Sequence, residues 1–453
     1  MNIASTEVVI VGAGFSGLAA ARILKQSHIA FEILEARDRL GGRVYTKKFD
    51  QGYYLDFGGQ WIGPTQDRMY ALCEEYGVSF YETYNQGKNI LDLKGKIKTY
   101  SGVIPKLDLF SLLNLDWVIR KLERLAKKIP MNSPWTHPKA QKWDHMTLED
   151  FLKSECKTNS SYAVLRAGCE TIFACDPEEL SFLHALFYIK SGTSLDCLIN
   201  IKNGAQQHRI QGGMQLLAEK ISEGFQEDIH FNSPVKQILT RENGYTVFTS
   251  EREIICKQVI IAIPPPLLKE IGFQPALPQT KTGLLENYPM GQVAKCFLIY
   301  EKPFWRTQGF SGQSVSDENT PYQTLFDCSP SDGSKGILMG FSIGSRARNL
   351  FKLPKEEREK TMRKVANRYF GPMADDYLNY EDFFMTDETW SQGCYAALMQ
   401  PKAWTSFQDA YRNSVGNIHF AGTEAATRWH GYIEGAVLAG EAAAEKVLQN
   451  LDS

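Results

Sequence analysis

No uninterrupted apolar run in this 453-residue chain approaches the ~20 residues that a membrane-spanning helix needs. Net charge is nearly absent as well. Fifty Lys and Arg against 52 Asp and Glu leave −2, too weak a field to argue for nucleic acid or an anionic membrane surface as partner. The nine cysteines contain no Cys-x-x-Cys, and no two histidines stand at ligand spacing. Neither a zinc site nor a disulfide framework is expected, and no metal. Internal repeats and low-complexity segments are missing too. The first predicted strand begins at Val8, which leaves no room for a signal peptide. Reduced cysteines without a signal predict a cytoplasmic protein with no membrane anchor. What remains is ordinary globular composition, 43% hydrophobic and 23% charged, in a chain long enough for two intertwined domains.

Against that background the N-terminal glycines stand out. Val8-Val9-Ile10-Val11 reads as a buried strand, and Gly12-Ala13-Gly14-Phe15-Ser16-Gly17 as a tight turn into a helix running to Leu24. Gly12 allows the turn, Gly14 lets backbone N–H groups approach a pyrophosphate, and Gly17 lets helix and strand pack closely. The pyrophosphate would lie at the positive end of the helix. A glycine triplet alone also fits any tight strand–helix turn. Here a second strand, Phe31-Glu32-Ile33-Leu34, ends at Glu35, about the ~20 residues on at which a ribose-binding carboxylate is expected.

Ala36-Arg37 through Gly41-Gly42-Arg43 extends the signal. The paired glycines bring backbone close to a ligand, and Arg43 carries a fork suited to phosphate. This extension resembles the second half of the FAD signature of two-dinucleotide-type flavoproteins and points to FAD rather than NAD. Gly58-Gly59-Gln60-Trp61 repeats the glycine-dense backbone and is expected beside the flavin ring. No arginine follows until Arg68, which argues against an α-amino-acid substrate.

From about Phe80 to Ile210 the chain reads as helical. Leu109, Leu112, Leu113, Leu115, Val118, Leu122 and Leu125 recur near helical spacing and are expected in the core. Thr147 with Asp150 forms a candidate capping box. The strands through Ile238 and Val247, and Val259–Ile263 before three prolines, are expected to complete the parallel sheet and its adenine-binding edge. Lys295 sits in the middle of an apolar strand. An exposed edge is the ordinary place for such a lysine, but the flavin signals on both sides place it facing the site. Late in the chain, a strand through Ile418–Phe420 delivers Gly422 and Thr423, and a helix begins near Ile433. Its N-terminus would stabilise an anionic reduced ring.

Five motifs, in order, carry a resemblance over essentially the whole chain: Gly12–Gly17 with Glu35, Arg39–Arg43, Gly58-Gly59, Lys295 with Pro303-Phe304-Trp305, and Cys394 through Gly435. The chain resembles the flavin-containing monoamine oxidases of the FAD amine oxidase family, in a bacterial-type form without their membrane helix. The resemblance implies an α/β fold, with a two-dinucleotide-binding-type Rossmann FAD domain (1–79, 211–284 and 388–453) interleaved with an α+β substrate domain (80–210 and 285–387). It implies oxidation of an amine to an imine that hydrolyses to an aldehyde, with O2 reduced to hydrogen peroxide. Lys295 corresponds to the lysine that holds a water at flavin N5, and Tyr395 and Tyr432 to an aromatic cage. Cys394 corresponds to the cysteine bound to the flavin 8α-methyl, although Gln392-Gly393 replaces the family's paired glycines before it. The implied cofactor contacts also include Val235, Trp390, Glu424 and Ile433. The implied substrate pocket comprises Ile172, Tyr188, Ile199, Gln206 and Tyr322 with the two cage tyrosines. A homodimer is compatible with this reading. The alternatives are a polyamine or L-amino-acid oxidase of the same superfamily, or a non-catalytic flavin- or nucleotide-binding regulatory module.

Overall fold

The computed structural model describes residues 2–103 and 105–451. Val8–Val11 is a fully buried strand. Its side chains alternate between two hydrophobic clusters, Val8 and Ile10 in one, Val9 and Val11 in the other. A strand apolar on both faces needs cover on both, which parallel α/β sheets provide. The neighbours on either side are Phe31–Leu34 and Gln258–Ile261, with Ile229–His230 and Ile418–Phe420 outermost, all parallel. The helices Phe15–Gln26 and Ile433–Leu451 pack on each other and on the Val8 and Ile10 face.

The strands through Ile238 and Val247 do not join this sheet, contrary to the sequence expectation. Gln237–Arg241 and Gly244–Phe248 form an antiparallel hairpin within a separate five-stranded sheet that ends at Asn2–Ser5 on one side and Gly272–Gln274 on the other. The reason lies in their patterning. Gln237–Arg241 mixes polar and apolar residues and buries only Ile238 fully, as suits a sheet wet on one face. The expected helix at Leu109–Ala126 forms, but only Leu115, Val118 and Leu122 among the named residues are buried. Leu109 and Leu113 are 73% and 61% exposed, because the first turns overhang the mouth of a cavity instead of packing on the core. The capping box is formed: Asp150 N donates to Thr147 Oγ1 at 3.0 Å, and Thr147 N donates to Asp150 Oδ2 at 2.9 Å.

A seven-stranded sheet runs from Asn379–Phe384 through Val293–Tyr300, Gly336–Ile343, Thr324–Asp327 and Phe310–Ser316 to Lys88–Leu93 and Lys96–Tyr100. Val293–Tyr300 is therefore internal, not an edge, and Lys295 is buried. A further small sheet, in which His208–Ile210 pairs with both Trp61–Ile62 and Phe80–Glu82, ties the glycine-rich segment to the helical region. All nine cysteines are unpaired. Among the described residues no helix is long and apolar enough to cross a membrane, and no cluster of side chains suits a metal ion.

Candidate active site

One cavity of about 970 Å³ runs from the Val11–Gly14 turn to Ile199. Its inner end is made of backbone. Gly12 adopts φ +101°, and a Cβ there would lie 2.9 Å from the Ala262 carbonyl oxygen. Gly14 precedes the Phe15–Gln26 helix in an extended conformation, without a side-chain cap on the first-turn N–H groups. Gly12, Gly14, Phe15, Ser16, Glu35, Ala36, Arg37, Gly42 and Val235 all line this end. Gly17 does not. It lies beneath, where a Cβ would stand 2.0 Å from the Gly12 carbonyl oxygen, so its role is helix–strand contact.

The charges here are already paired among themselves. Glu35, 2% exposed, accepts from the backbone N–H of Ala13 at 2.8 Å and of Arg37 at 2.9 Å. The Arg37 guanidinium binds Glu35 at 3.3 Å, Ser391 Oγ at 2.7 Å and the Glu388 carboxylate. Arg43 differs from its expected use as a phosphate fork. Its two terminal nitrogens bind Glu424 bidentately at 2.5 and 3.0 Å, and one also donates to the Tyr395 carbonyl at 2.9 Å. Glu424 accepts the Ala397 N–H as well, at 3.0 Å, and lies off the cavity wall, so it acts on the site through Arg43. Arg43 holds Glu424 below the usual carboxylate range against the cost of burial.

Toward the middle, Gly58, Gly59, Gln60, Trp61, Trp390, Cys394, Gly422, Thr423 and Ile433 form the wall. Gly59 lies against Ile433, at the start of the Ile433–Leu451 helix; a Cβ on it would be 3.2 Å from Ile433 Cδ1. Lys295 Nζ donates to the carbonyls of Asp56 at 2.8 Å and Gly58 at 2.6 Å, and to Gln60 Oε1 at 3.1 Å. Burial lowers its ammonium to about 8, with Cys328 and Asp56 opposing the shift. Cys394 is 7% exposed, and burial pushes its thiol up to about 12. The Cys394–Tyr395 peptide bond is cis.

Beyond these groups the cavity opens between Tyr395 and Tyr432, both half-buried and both on its wall. Lys295 pairs across strands with Phe341, Phe341 with Thr324, and Thr324 with Val315, so the four form one row facing the cavity. Phe341 meets Tyr395 edge-on at 6.3 Å. Trp61 packs on Phe326 and Phe341 at 5.2 and 6.0 Å, and its indole N–H has no protein partner. Of the expected pocket residues, Ile172, Ile199 and Gln206 are on the wall. Tyr188 is one layer back, fully buried behind Tyr432 at 6.0 Å. Tyr322 is not in the pocket; it precedes the Thr324–Asp327 strand and its ring fills the core above Gly340 and Met362. Thr324, Phe326 and Phe341 occupy the wall instead, and sequence reasoning missed them. The available signal was the register: a residue paired across from Lys295 must share its face.

Over residues 15–448 the chain matches the family described as flavin containing amine oxidoreductase. A Mycobacterium tuberculosis protein bearing the name of a flavin-containing monoamine oxidase, AofH, is 37% identical over 443 residues, covering 98% of this chain and 96% of that one. Amine oxidase [flavin-containing] B of Sus scrofa is 36% identical over 446 residues, covering 98% and 86%. Cyclohexylamine oxidase from Brevibacterium oxydans IH-35A superposes with a TM-score of 0.95 at 28% identity, covering 99% and 100%. Wild-type putrescine oxidase bound to putrescine gives 0.93 at 29%, with the same coverage.

Proposed function

Because the chain belongs to the flavin-containing amine oxidoreductase family and is an FAD-dependent amine oxidase, we propose that it acts on primary monoamines with an apolar body. The observation that carries this reading is the distribution of charge in the cavity. Its outer walls include Leu165, Ile172, Leu198, Phe326 and Phe341, with the uncharged polar residues Thr171, Gln206 and Thr324 and the cation Lys202 among them. The acidic lining residues are Glu35, at the nucleotide end, and Asp116, Asp196 and Glu270, all exposed. A diamine such as putrescine would bring a second ammonium among apolar side chains of the outer cavity, with no buried carboxylate there to pair with it. An isolated buried charge of that kind is strongly disfavoured.

The residues present fit FAD. Gly12 and Gly14 line the inner end of the cavity with bare backbone, and the helix that follows offers uncapped N–H groups to a pyrophosphate. Glu35 would hold the ribose, Gly58 to Trp61 and Gly422 to Ile433 the ring system, and Cys394 is the proposed point of covalent attachment. The bound flavin supplies the two-electron chemistry of amine oxidation and of the reaction with O2. The protein's part is to bind, orient and exclude water. Tyr395 and Tyr432 are the proposed walls that orient the amine nitrogen, attracting its charged form by a cation–π term of ~0.5–2 kcal/mol. Lys295 is the proposed cation at the reacting edge of the ring. The apolar walls fix the substrate's body and keep bulk water out.

Oxygen consumption with a panel of amines tests the reading. Benzylamine, phenethylamine and medium-chain alkylamines should be turned over with higher kcat/KM than putrescine or spermidine, and L-amino acids not at all. A preference for putrescine would overturn it.

A further inference from the structure

Behind Tyr432 lie two histidines that no step above uses. His184 and His430 are 0% and 1% exposed, with their rings perpendicular and 5.3 Å apart. Their hydrogen bonds fix complementary tautomers. Trp404 Nε1–H donates to His184 Nδ1 at 3.2 Å, so the proton of the neutral ring is on Nε2. His430 Nδ1 faces the Ala426 carbonyl at 3.4 Å, so it carries the proton and leaves a lone pair on Nε2. Burial lowers His184 well below the usual imidazole range and takes His430 down to about 4, Glu424 opposing, so both rings are neutral. Each Nε2 is buried and has no protein partner. One is a donor and the other an acceptor.

The surroundings say what the pair could hold in place. His184, Phe187, Tyr188 and Ser191 lie on one face of the Phe182–Ser191 helix, at the i, i+3, i+4 and i+7 positions. That face docks on the turn that presents Tyr432. The Ser191 carbonyl accepts the Trp429 N–H at 2.9 Å, and Tyr188 and Phe187 flank the His430 ring at 5.7 and 5.3 Å. The turn is conformationally demanding, with Trp429 at φ +50° and Gly431 at φ +84°. Thr423 Oγ1 ties its far end by accepting from Gly431 N at 2.7 Å and donating to the Tyr432 carbonyl at 2.9 Å.

We propose that His184 and His430 act as one positioning unit, joined Nε2–H to Nε2 through a single buried water, which holds Tyr432 at its place in the amine slot. Buried waters usually bridge polar groups of this kind that would otherwise lack partners. The unit rests on the reading of Tyr432 as a wall of that slot, but its existence does not.

Two measurements on the holoenzyme separate these levels. Histidine ¹⁵N NMR should show one Nε2–H and one Nδ1–H neutral tautomer that stay unprotonated from about pH 5.5 to about 9, and lose their signals in His184→Leu and His430→Leu. A crystal structure should carry one water within hydrogen-bond distance of both Nε2 atoms. Protonated rings, like tautomers or an empty gap would overturn the unit, whatever the substrate. In anaerobic stopped flow with benzylamine, His430→Leu should slow flavin reduction about 10- to 100-fold, the scale of a small misplacement. Reoxidation by O2 and flavin content should not change. His430→Gln, which keeps an acceptor, should restore most of the rate. The double variant His184→Leu/His430→Leu should regain stability, since both partners are apolar, yet remain slow. Full reduction rates in both leucine variants, or a double variant as fast as wild type, would remove Tyr432 positioning from the proposal.

Discussion

Replacing Lys295 with methionine removes one buried charge and leaves the volume of the side chain nearly intact. Two consequences follow, one in stability and one in turnover. Burial holds the ammonium at about 8 where a free lysine has 10.5, so folding disfavours the charged form by roughly 3 kcal/mol. The group is charged in both states below about 8 and neutral in both above 10.5. Between these limits the unfolded chain binds more protons, and stability must rise with pH. From about pH 7.5 to about pH 9.5 the contribution amounts to about 2 kcal/mol. Guanidinium unfolding of both proteins at a series of pH values isolates it, because every other titrating group cancels in the difference. The wild type should gain that amount relative to Lys295→Met over this range.

At neutral pH the variant should still fold. It relieves the burial penalty, while the Asp56 and Gly58 carbonyls and Gln60 Oε1 lose their donor, at about 1–3 kcal/mol each for a group left unsatisfied. Summed over the three acceptors the loss is about 3–9 kcal/mol, of which the roughly 3 kcal/mol relieved offsets a third or more. The change in turnover is then read on protein that the same unfolding curves show to be folded. Loss of a preorganised charge at the reacting edge should slow flavin reoxidation by ~10²-fold and affect reduction by amine much less. A pH-independent stability difference would show that Lys295 titrates like an exposed lysine, and equal effects on both half-reactions would show that it is only structural. Either result refutes the reasoning.

Two further outcomes are expected. Acid precipitation and trypsin digestion of the wild type should give a yellow peptide containing Cys394, and Cys394→Ser should release all flavin to the supernatant; complete release from the wild type would rule out attachment there. Tyr395→Leu and Tyr432→Leu should each keep the flavin bound and lower kcat/KM for benzylamine by ~10-fold, about 1.4 kcal/mol of transition-state stabilisation. The double variant should cost less than the sum, and full activity in both singles would remove the slot.

The parts of the site legible in the sequence are those set by local backbone. The Val8–Val11 strand, the glycine turn and Glu35 were readable because spacing along one strand–turn–helix unit determines where they meet. What failed was partner choice. Gln237–Arg241 announces a strand, and its half-polar pattern suits a sheet wet on one face, but nothing in it names Gly272–Gln274 as its second partner. Arg43 looks like a phosphate ligand until its fork is found on Glu424, a residue 381 positions away. Tyr322 comes just before the Thr324–Asp327 strand that supplies part of the wall, yet which way a side chain faces depends on a register set by Phe341 on the neighbouring strand. The paired histidines lie in separate segments and carry no motif, so only tertiary contact brings their tautomers into complement.

The clearest lesson about buried charge comes from a second lysine. Lys281 is 2% exposed and donates to the carbonyls of Ala410, Tyr411 and Asn413 at 2.5, 2.9 and 3.0 Å. Its ammonium stands 3.5 Å over the Phe420 ring, and burial lowers it to about 7, further than Lys295. By titration alone Lys281 would be the stronger candidate for chemistry. Its three acceptors belong to one turn that lines no part of the cavity, so its charge closes that turn onto the outer strand of the parallel sheet. The acceptors of Lys295 belong instead to the glycine segment that forms the cavity wall, and its cross-strand neighbours Phe341 and Thr324 face the same space. The two cations share burial, backbone ligands and a lowered proton affinity. What distinguishes them is the surface each presents, and that surface comes from the row across the seven-stranded sheet.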